Sequence, residues 1–202
     1  MPSIRVLLAD DHTMFRDGLK LLLASQADFV VVGELGELGS LKACVRACAP
    51  DLLLIDYHMP GGDTGALIAH LKHTQPGLRI VVLTGSSSGA VLQQLLRSPA
   101  DAVLPKDDSA QALLAQLRAL WRGENVLSAR VQALAGSGDA PLTAREMQVV
   151  KLVCDGLGGP AIAQLLCLSP KTVNKHQENL MRKLGVNSSL QLVQKVHALG
   201  WF

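Results

Sequence analysis

The chain has 202 residues, 49% of them hydrophobic and only 3% aromatic, with a formal net charge of +2. That composition excludes a disordered polypeptide, because the aliphatic content suffices for one large core or two smaller ones. No apolar run approaches the ~20 residues that span a bilayer, and Met1-Pro2-Ser3 leads into an apolar strand rather than a secretory leader. A cytoplasmic protein without membrane attachment is expected.

In chain order, Ile4–Ala9 reads as a buried strand, and Phe15, Leu19, Leu22 and Leu23 then recur at helical spacing. Further short strands follow at Phe29–Val32, Leu52–Ile55, Ile80–Leu83 and Ala102–Leu104. Helical patterns around Leu41–Cys48, Ala66–Lys72, Val91–Arg97 and Ala110–Trp121 alternate with them. Five strand–helix pairs in sequence specify an α/β fold, a parallel sheet with helices on both faces. Cys44, Cys48, Cys154 and Cys167 form no CxxC pair and lie in apolar helical patterns, so they read as reduced thiols. Cys44 and Cys48, four apart, share one helix face. Two further metal ligands are not in evidence beside them.

After Trp121 the alternation lapses, and Gly136-Ser137-Gly138-Asp139-Ala140-Pro141 has linker character. The expected organisation is a first domain over 1–122, a linker over 123–140 and a second domain over 141–202. Charge divides with it: residues up to Glu124 sum to −2, and those from Asn125 onward to +4. The second domain reads as helix throughout. Thr143 and Glu146 are spaced as a capping box, and Gly159-Pro160 and Ser169-Pro170 each place a cap-compatible residue before proline at a helix start. The short join Cys167-Leu168-Ser169-Pro170 between two helices fits a helix-turn-helix, whose later helix enters the DNA major groove.

Asp10 and Asp11 follow the first strand directly, and Asp56 follows the third. In a parallel sheet all three crowd the crevice at the strands' carboxyl ends. Carboxylates this close repel unless a cation lies among them, and hard oxygen ligands suit Mg²⁺. Thr84 ends the fourth strand and Lys106 follows the fifth, adding a hydroxyl and an ammonium at the same edge. Nucleophilic carboxylate, cation and ammonium together suit phosphoryl transfer.

The run Leu7-Leu8-Ala9-Asp10-Asp11-His12-Thr13-Met14-Phe15-Arg16-Asp17-Gly18-Leu19, with Asp56 and Met59-Pro60-Gly61, resembles the receiver domains of NarL/FixJ-type two-component response regulators. Leu142-Thr143-Ala144-Arg145-Glu146 through Lys183-Leu184-Gly185-Val186 resembles LuxR-type DNA-binding domains. The resemblance implies a CheY-like doubly wound five-stranded sheet followed by a small all-α domain. It implies that Asp56 accepts a phosphoryl group from a sensor histidine kinase. It further implies that Asp11, Asp56 and the His58 backbone carbonyl hold Mg²⁺, with Asp10 acting through water, and that Thr84 and Lys106 bind the phosphoryl oxygens. On the DNA side it places Asn174, Lys175 and Glu178 at base edges and Lys171, Thr172, His176 and Lys183 at phosphates of double-stranded DNA. A homodimer is expected when active, with the apolar residues Leu190, Leu192, Val193, Val196 and Leu199 offering the surface.

The sequence departs from the family at Val103, where an aromatic ring is usual, at Gly85, and in Ser98-Pro99-Ala100-Asp101-Ala102, which lacks the customary glycines. Gly158-Gly159-Pro160-Ala161 and Ser189 are departures in the second domain. Val103 motivates the alternative of a regulator whose DNA binding is largely independent of phosphorylation. An aspartyl-phosphate phosphatase is a second alternative. Such enzymes usually space their two carboxylates as DxD, whereas Tyr57-His58 follows Asp56 here, so a regulator and not an enzyme is expected.

Overall fold

In the computed structural model, which describes residues 3–86, 89–126, 128–136, 142, 144–166 and 168–199, the alternating first part of the chain forms a five-stranded, all-parallel sheet. Its strands are β1 (Ile4–Ala9), β2 (Phe29–Leu35), β3 (Leu52–Asp56), β4 (Arg79–Thr84) and β5 (Ala102–Pro105), in the order β2-β1-β3-β4-β5. Helices α1 (Thr13–Ala24), α2 (Leu41–Cys48), α3 (Thr64–Thr74), α4 (Gly89–Leu96) and α5 (Ala110–Trp121) connect or follow them. The strand order reverses between β1 and β3, which opens a crevice at their carboxyl ends.

The strands are near-continuous aliphatic runs because both faces of the sheet are covered. With a side-chain period of two, Val6, Leu8, Leu52, Leu54, Val81, Leu83, Ala102 and Leu104 face one way. They form a single buried cluster with Leu19 and Leu23 of α1 and Leu113, Leu114, Leu117 and Leu120 of α5. Leu7, Leu53, Ile55, Ile80, Val82 and Val103 alternate with them and are equally buried. β2 runs three residues beyond the expected Val32. A register shift between Val6 and Leu7 of β1 lets Gly33, Glu34 and Leu35 continue the pairing.

The turn into β5 is held by side chains where glycines would be usual. Lys72 Nζ donates to both Asp101 carboxylate oxygens (3.0 and 2.9 Å) and to Leu78 O (3.1 Å). Asp101 Oδ2 also accepts from Ile80 N at 2.7 Å, and Asp101 N donates to Ile80 O at 2.8 Å.

Helix α6 (Ala129–Gly136) lies within the span expected as linker, with Val131 and Ala135 buried and Ser128 Oγ accepting from Val131 N. Residues 137–141 lie outside the described residues, as do Thr143, the hydroxyl half of the expected capping box, and Cys167. The chain separates into two compact units, residues 1–85 with 95–131, and 86–94 with 132–202.

In the second unit α7 (Ala144–Cys154), α8 (Gly159–Leu165), α9 (Pro170–Leu184) and α10 (Ser189–Ala198) pack together. The core they share is Val149, Val150, Ile162, Ala163, Val173, Leu180, Leu192 and Val196. Ser169 caps α9 as expected, its side chain accepting from Thr172 N, with Pro170 in the first turn. The α8 start is one residue earlier than Gly159-Pro160 suggests: Gly158 is the extended cap residue. Leu165, at an apolar position of α8, is 61% exposed, because the core-facing positions of so short a helix are filled by Ile162 and Ala163. Gly185 ends α9 at φ 64, a left-handed conformation that costs glycine nothing.

Asp101→Ala removes a charged hydrogen-bonding hub and leaves Ile80 N without its side-chain acceptor. It should lower the unfolding free energy by about 1.5–3 kcal/mol, measured by urea denaturation, while Lys72→Ala, which spares the bond to Ile80, should cost less.

Candidate functional site

Each strand end delivers one part of the crevice. Asp10 follows β1 and Asp56 closes β3, both 2% exposed, while Asp11 and His12, where the chain turns into α1, stay open to solvent. Asp10 folds back on the next residues, its Oδ1 accepting from His12 N at 2.9 Å. Asp56 Oδ1 accepts from His58 N at 3.3 Å in the same manner, which fixes the loop after β3. Thr84 is the buried last residue of β4, one beyond Leu83, the register partner of Asp56. Its carbonyl accepts from Lys106 N at 2.8 Å, so the hydroxyl and the ammonium belong to one junction.

Lys106 reaches across the crevice. Its Nζ lies 2.8 Å from Asp10 Oδ2 and 3.0 Å from Asp56 Oδ2, with 15% of the side chain exposed. The Phe15 ring of α1 flanks it, with Nζ 4.9 Å from the ring centroid. The structure thus brings Asp10, Asp11, Asp56, Thr84 and Lys106 to one sheet edge. It adds one residue the sequence reading left out. His12 Nδ1 lies 3.2 Å from Asp10 Oδ1, 3.0 Å from Asp11 Oδ1, 3.7 Å from Asp56 Oδ2 and 3.4 Å from Lys106 Nζ. Its place immediately after the two aspartates was the available signal.

Burial pushes the Asp56 carboxyl above its ordinary value. The Lys106 charge and hydrogen bond oppose the shift, and the neighbouring Asp10 adds to it. Tyr57, beside it, is pushed up to about 12 by burial and the Asp63 charge. Ligand atoms of Asp10, Asp11, His12 and Asp56 all lie within 4.8 Å of one another. Asp10 Oδ2 and Asp56 Oδ2 are buried without a hydrogen bond of good geometry, although Lys106 is within ion-pair distance of both. Orphaned carboxylate oxygens in a predominantly oxygen-donor cluster fit a divalent cation. Val103, on β5 opposite Val82, is 5% exposed and carries no ring.

On the second unit, α9 presents Asn174, Lys175 and Glu178 to solvent, along with Lys171 one turn earlier. Lys175 Nζ and Glu178 Oε2 lie 4.0 Å apart at about 70% exposure each. Thr172 and His176 are half-buried, and the Thr172 hydroxyl shares a hydrogen bond with Ser169 Oγ at 2.7 Å. Lys183, expected at a phosphate, has its Nζ 2.7 Å from Glu146 Oε2, a carboxylate 5% exposed. Arg182, which the sequence reading did not single out, is exposed near Asn179 Oδ1. The turn before α9 is pinned by Arg145, whose Nη2 donates to Leu166 O. Among the described residues no helix is long and apolar enough to cross a membrane.

Comparison with known proteins matches both units. Residues 6–118 fit the model of the response regulator receiver domain, and residues 140–196 that of the luxR family of bacterial regulatory proteins. A probable transcriptional regulatory protein NarL of Mycobacterium tuberculosis is 31% identical over 193 residues, 92% of this chain and 89% of that one. The oxygen regulatory protein NreC of Staphylococcus aureus is 28% identical over 207 residues, 95% of each chain. Among solved structures, RcsB of Salmonella enterica serovar Typhimurium, bound to promoter rprA in the presence of the phosphomimetic BeF₃⁻, is similar with a TM-score of 0.85. Identity is 29%, over 97% of this chain and all of that one.

An ionised Asp56 held in a buried, like-charged setting destabilises the cation-free protein. Asp56→Asn should therefore raise its unfolding free energy by about 1–3 kcal/mol at neutral pH. The wild-type penalty is at its full size above the raised pKa of the folded state. It should fade as pH falls through that value towards ~3.9, where the unfolded chain also protonates. Urea denaturation of both proteins across that range measures the closing gap.

Proposed function

From the chain's membership of the two-component response regulators of NarL/FixJ type, a receiver domain joined to a LuxR-type DNA-binding domain, we infer that Asp56 is its phosphoacceptor. The observation that carries this is the buried Asp56 carboxylate facing a lysine ammonium at 3.0 Å across the β1–β3 crevice. An Asp56 carboxylate oxygen attacks the phosphorus of a donor, the donor's leaving group departs, and a mixed anhydride forms. Lys106, 2.8 Å from Asp10 and 3.0 Å from Asp56 beforehand, then pairs with a phosphoryl oxygen, and the Thr84 hydroxyl supplies a second donor. Asp11, Asp56 and the His58 carbonyl would hold Mg²⁺, with Asp10 acting through a water. Bound there, the ion neutralises charge on carboxylates and phosphoryl oxygens. His12, between Asp10, Asp11 and Lys106, would have to turn outward to admit it. The donor is a sensor histidine kinase, as in two-component systems generally.

The output is double-stranded DNA, read by the exposed face of α9. RcsB, bound to a promoter in the presence of a phosphomimetic, is the precedent among similar structures. Asn174, Lys175 and Glu178 suit adenine, guanine and cytosine edges, while Lys171, Thr172 and His176 lie towards phosphates. Lys183 would reach a phosphate only by leaving Glu146. A two-fold pair of such modules doubles the readout of one. Of the five residues expected to offer a pairing surface, Leu192 and Val196 are instead fully buried in the unit's own core, leaving Leu190, 69% exposed, with the half-buried Val193 and the cap residue Leu199 for that role.

Val103 favours a second reading within the same class, weak coupling between phosphorylation and DNA binding, because no ring is present there to reorient. Treatment with a small phosphodonor and Mg²⁺ should add a single phosphoryl group, seen by mass spectrometry and absent from Asp56→Asn. An undiminished adduct in that variant would remove Asp56 from the role. The accompanying gain in DNA affinity should stay below about tenfold, or ~1.4 kcal/mol.

Lys175→Ala should lose discrimination at one base pair at a cost of about 1–3 kcal/mol, whereas Lys171→Ala should weaken all sequences alike. Binding to a panel of single-base operator variants separates the two outcomes. Uniform weakening by both would misplace the reading face of α9.

A further inference from the structure

Neither the crevice nor α9 uses the two thiols of α2. Cys44 and Cys48 stand one turn apart, both half-buried and free of any disulfide, with their Sγ atoms 3.6 Å from each other. They converge on Gly33 of β2. A Cβ at Gly33 would lie 3.2 Å from Cys48 Sγ, 3.3 Å from Cys44 Sγ and 3.0 Å from Leu7 Cδ1. A side chain at Gly33 would have to push both sulfurs back by a few tenths of an ångström. Burial raises the Cys44 thiol above its ordinary pKa, and the hydrogen bond with Cys48 adds to the shift, so Cys44 is a thiol at neutral pH.

The separation of the sulfurs discriminates between uses. A disulfide needs them about 2.0 Å apart with Cβ atoms within about 4.5 Å. Helix positions four apart hold their Cβ atoms about 5–6 Å apart, so a disulfide would have to unwind the last turn of α2. With metal–sulfur bonds of about 2.3 Å, a linear two-coordinate ion would set the sulfurs about 4.6 Å apart, and a bent chelate with a tetrahedral angle about 3.8 Å apart. The observed 3.6 Å matches the bent chelate to within a few tenths of an ångström. A four-coordinate ion would want two more protein ligands. Among the described residues, however, the one cluster of three or more ligating side chains is Asp10, Asp11, His12 and Asp56. Among the described residues the protein offers two sulfurs here, which suits an occupant satisfied by two sulfurs and one solvent oxygen.

We propose that Cys44 and Cys48 form a chelating dithiol site for a trivalent, three-coordinate thiophilic species of the arsenous acid type. The binding step is a double condensation. Each S–H meets one As–OH, two S–As bonds form while two As–O and two S–H bonds break, and two waters leave. Arsenic stays trivalent, so no oxidant or reductant takes part. The product is neutral and keeps one hydroxyl. It needs no prior thiolate, which suits a thiol whose ionisation burial opposes. The site is independent of Asp56 and its role.

The test is titration of the reduced full-length protein with arsenite. Native mass spectrometry counts arsenic per chain, and alkylation followed by peptide mapping shows which thiols are protected. One arsenic per chain, protection of Cys44 and Cys48 together, affinity at least tenfold weaker in both Cys44→Ser and Cys48→Ser, and no change in Cys154→Ser are expected. No uptake by the wild type, protection that maps elsewhere, or equal uptake by the single variants would overturn the proposal. The wild-type mapping decides the matter even if a serine variant fails to fold.

Discussion

The receiver unit depends on a repulsion that its own fold creates. A parallel sheet whose strand order reverses between β1 and β3 brings Asp10 and Asp56 to one crevice, and both are buried there. Two carboxylates in that setting cannot both ionise at ordinary cost. The fold answers with Lys106, delivered by β5, tied by its backbone to Thr84 and flanked by Phe15. The answer is incomplete. Oxygens of both aspartates stay without well-directed hydrogen bonds, and the Asp56 carboxyl is raised despite the lysine beside it. The incompleteness leaves a crevice whose donor set suits a further positive charge.

Much of this was legible in the sequence because position and chemistry coincide at strand ends. A strand that is buried on both faces is a run of Val, Leu and Ile, so its end is sharply marked, and the residue after it is placed to within one position. Asp10, Asp56, Thr84 and Lys106 could be assembled on that basis alone. What escaped were contacts that turn on side-chain reach and not on register. His12 is three residues past the end of β1, yet its ring bends back over three carboxylates. Lys183 carries the charge expected of a phosphate contact, but Glu146, thirty-seven positions away, claims it. Leu165 fits the apolar period of α8, and no sequence rule foretells that so short a helix leaves it outside.

The departures from family pattern acquire separate physical meanings. Around Asp101 the missing glycines are offset by an ion pair and by hydrogen bonds to both the N–H and the carbonyl of Ile80. That departure is structural and self-compensated. Val103 differs, since it packs as an ordinary aliphatic residue opposite Val82 and nothing replaces the ring. One sequence therefore holds a departure offset by new polar contacts and one that the sheet takes in by ordinary aliphatic packing.

The pairing of Lys183 with Glu146, together with the closeness of Lys175 to Glu178, changes what the basic last third of the chain is worth on a nucleic acid. DNA binding draws free energy from cations condensed on the phosphates, which escape into solution when protein ammonium groups take their place. A lysine that already has an internal carboxylate releases fewer of them, because its partner must first be displaced. The effective valence of α9 is thus smaller than its count of basic residues. On the proposed role of α9 in binding DNA, association through it would be correspondingly less sensitive to ionic strength.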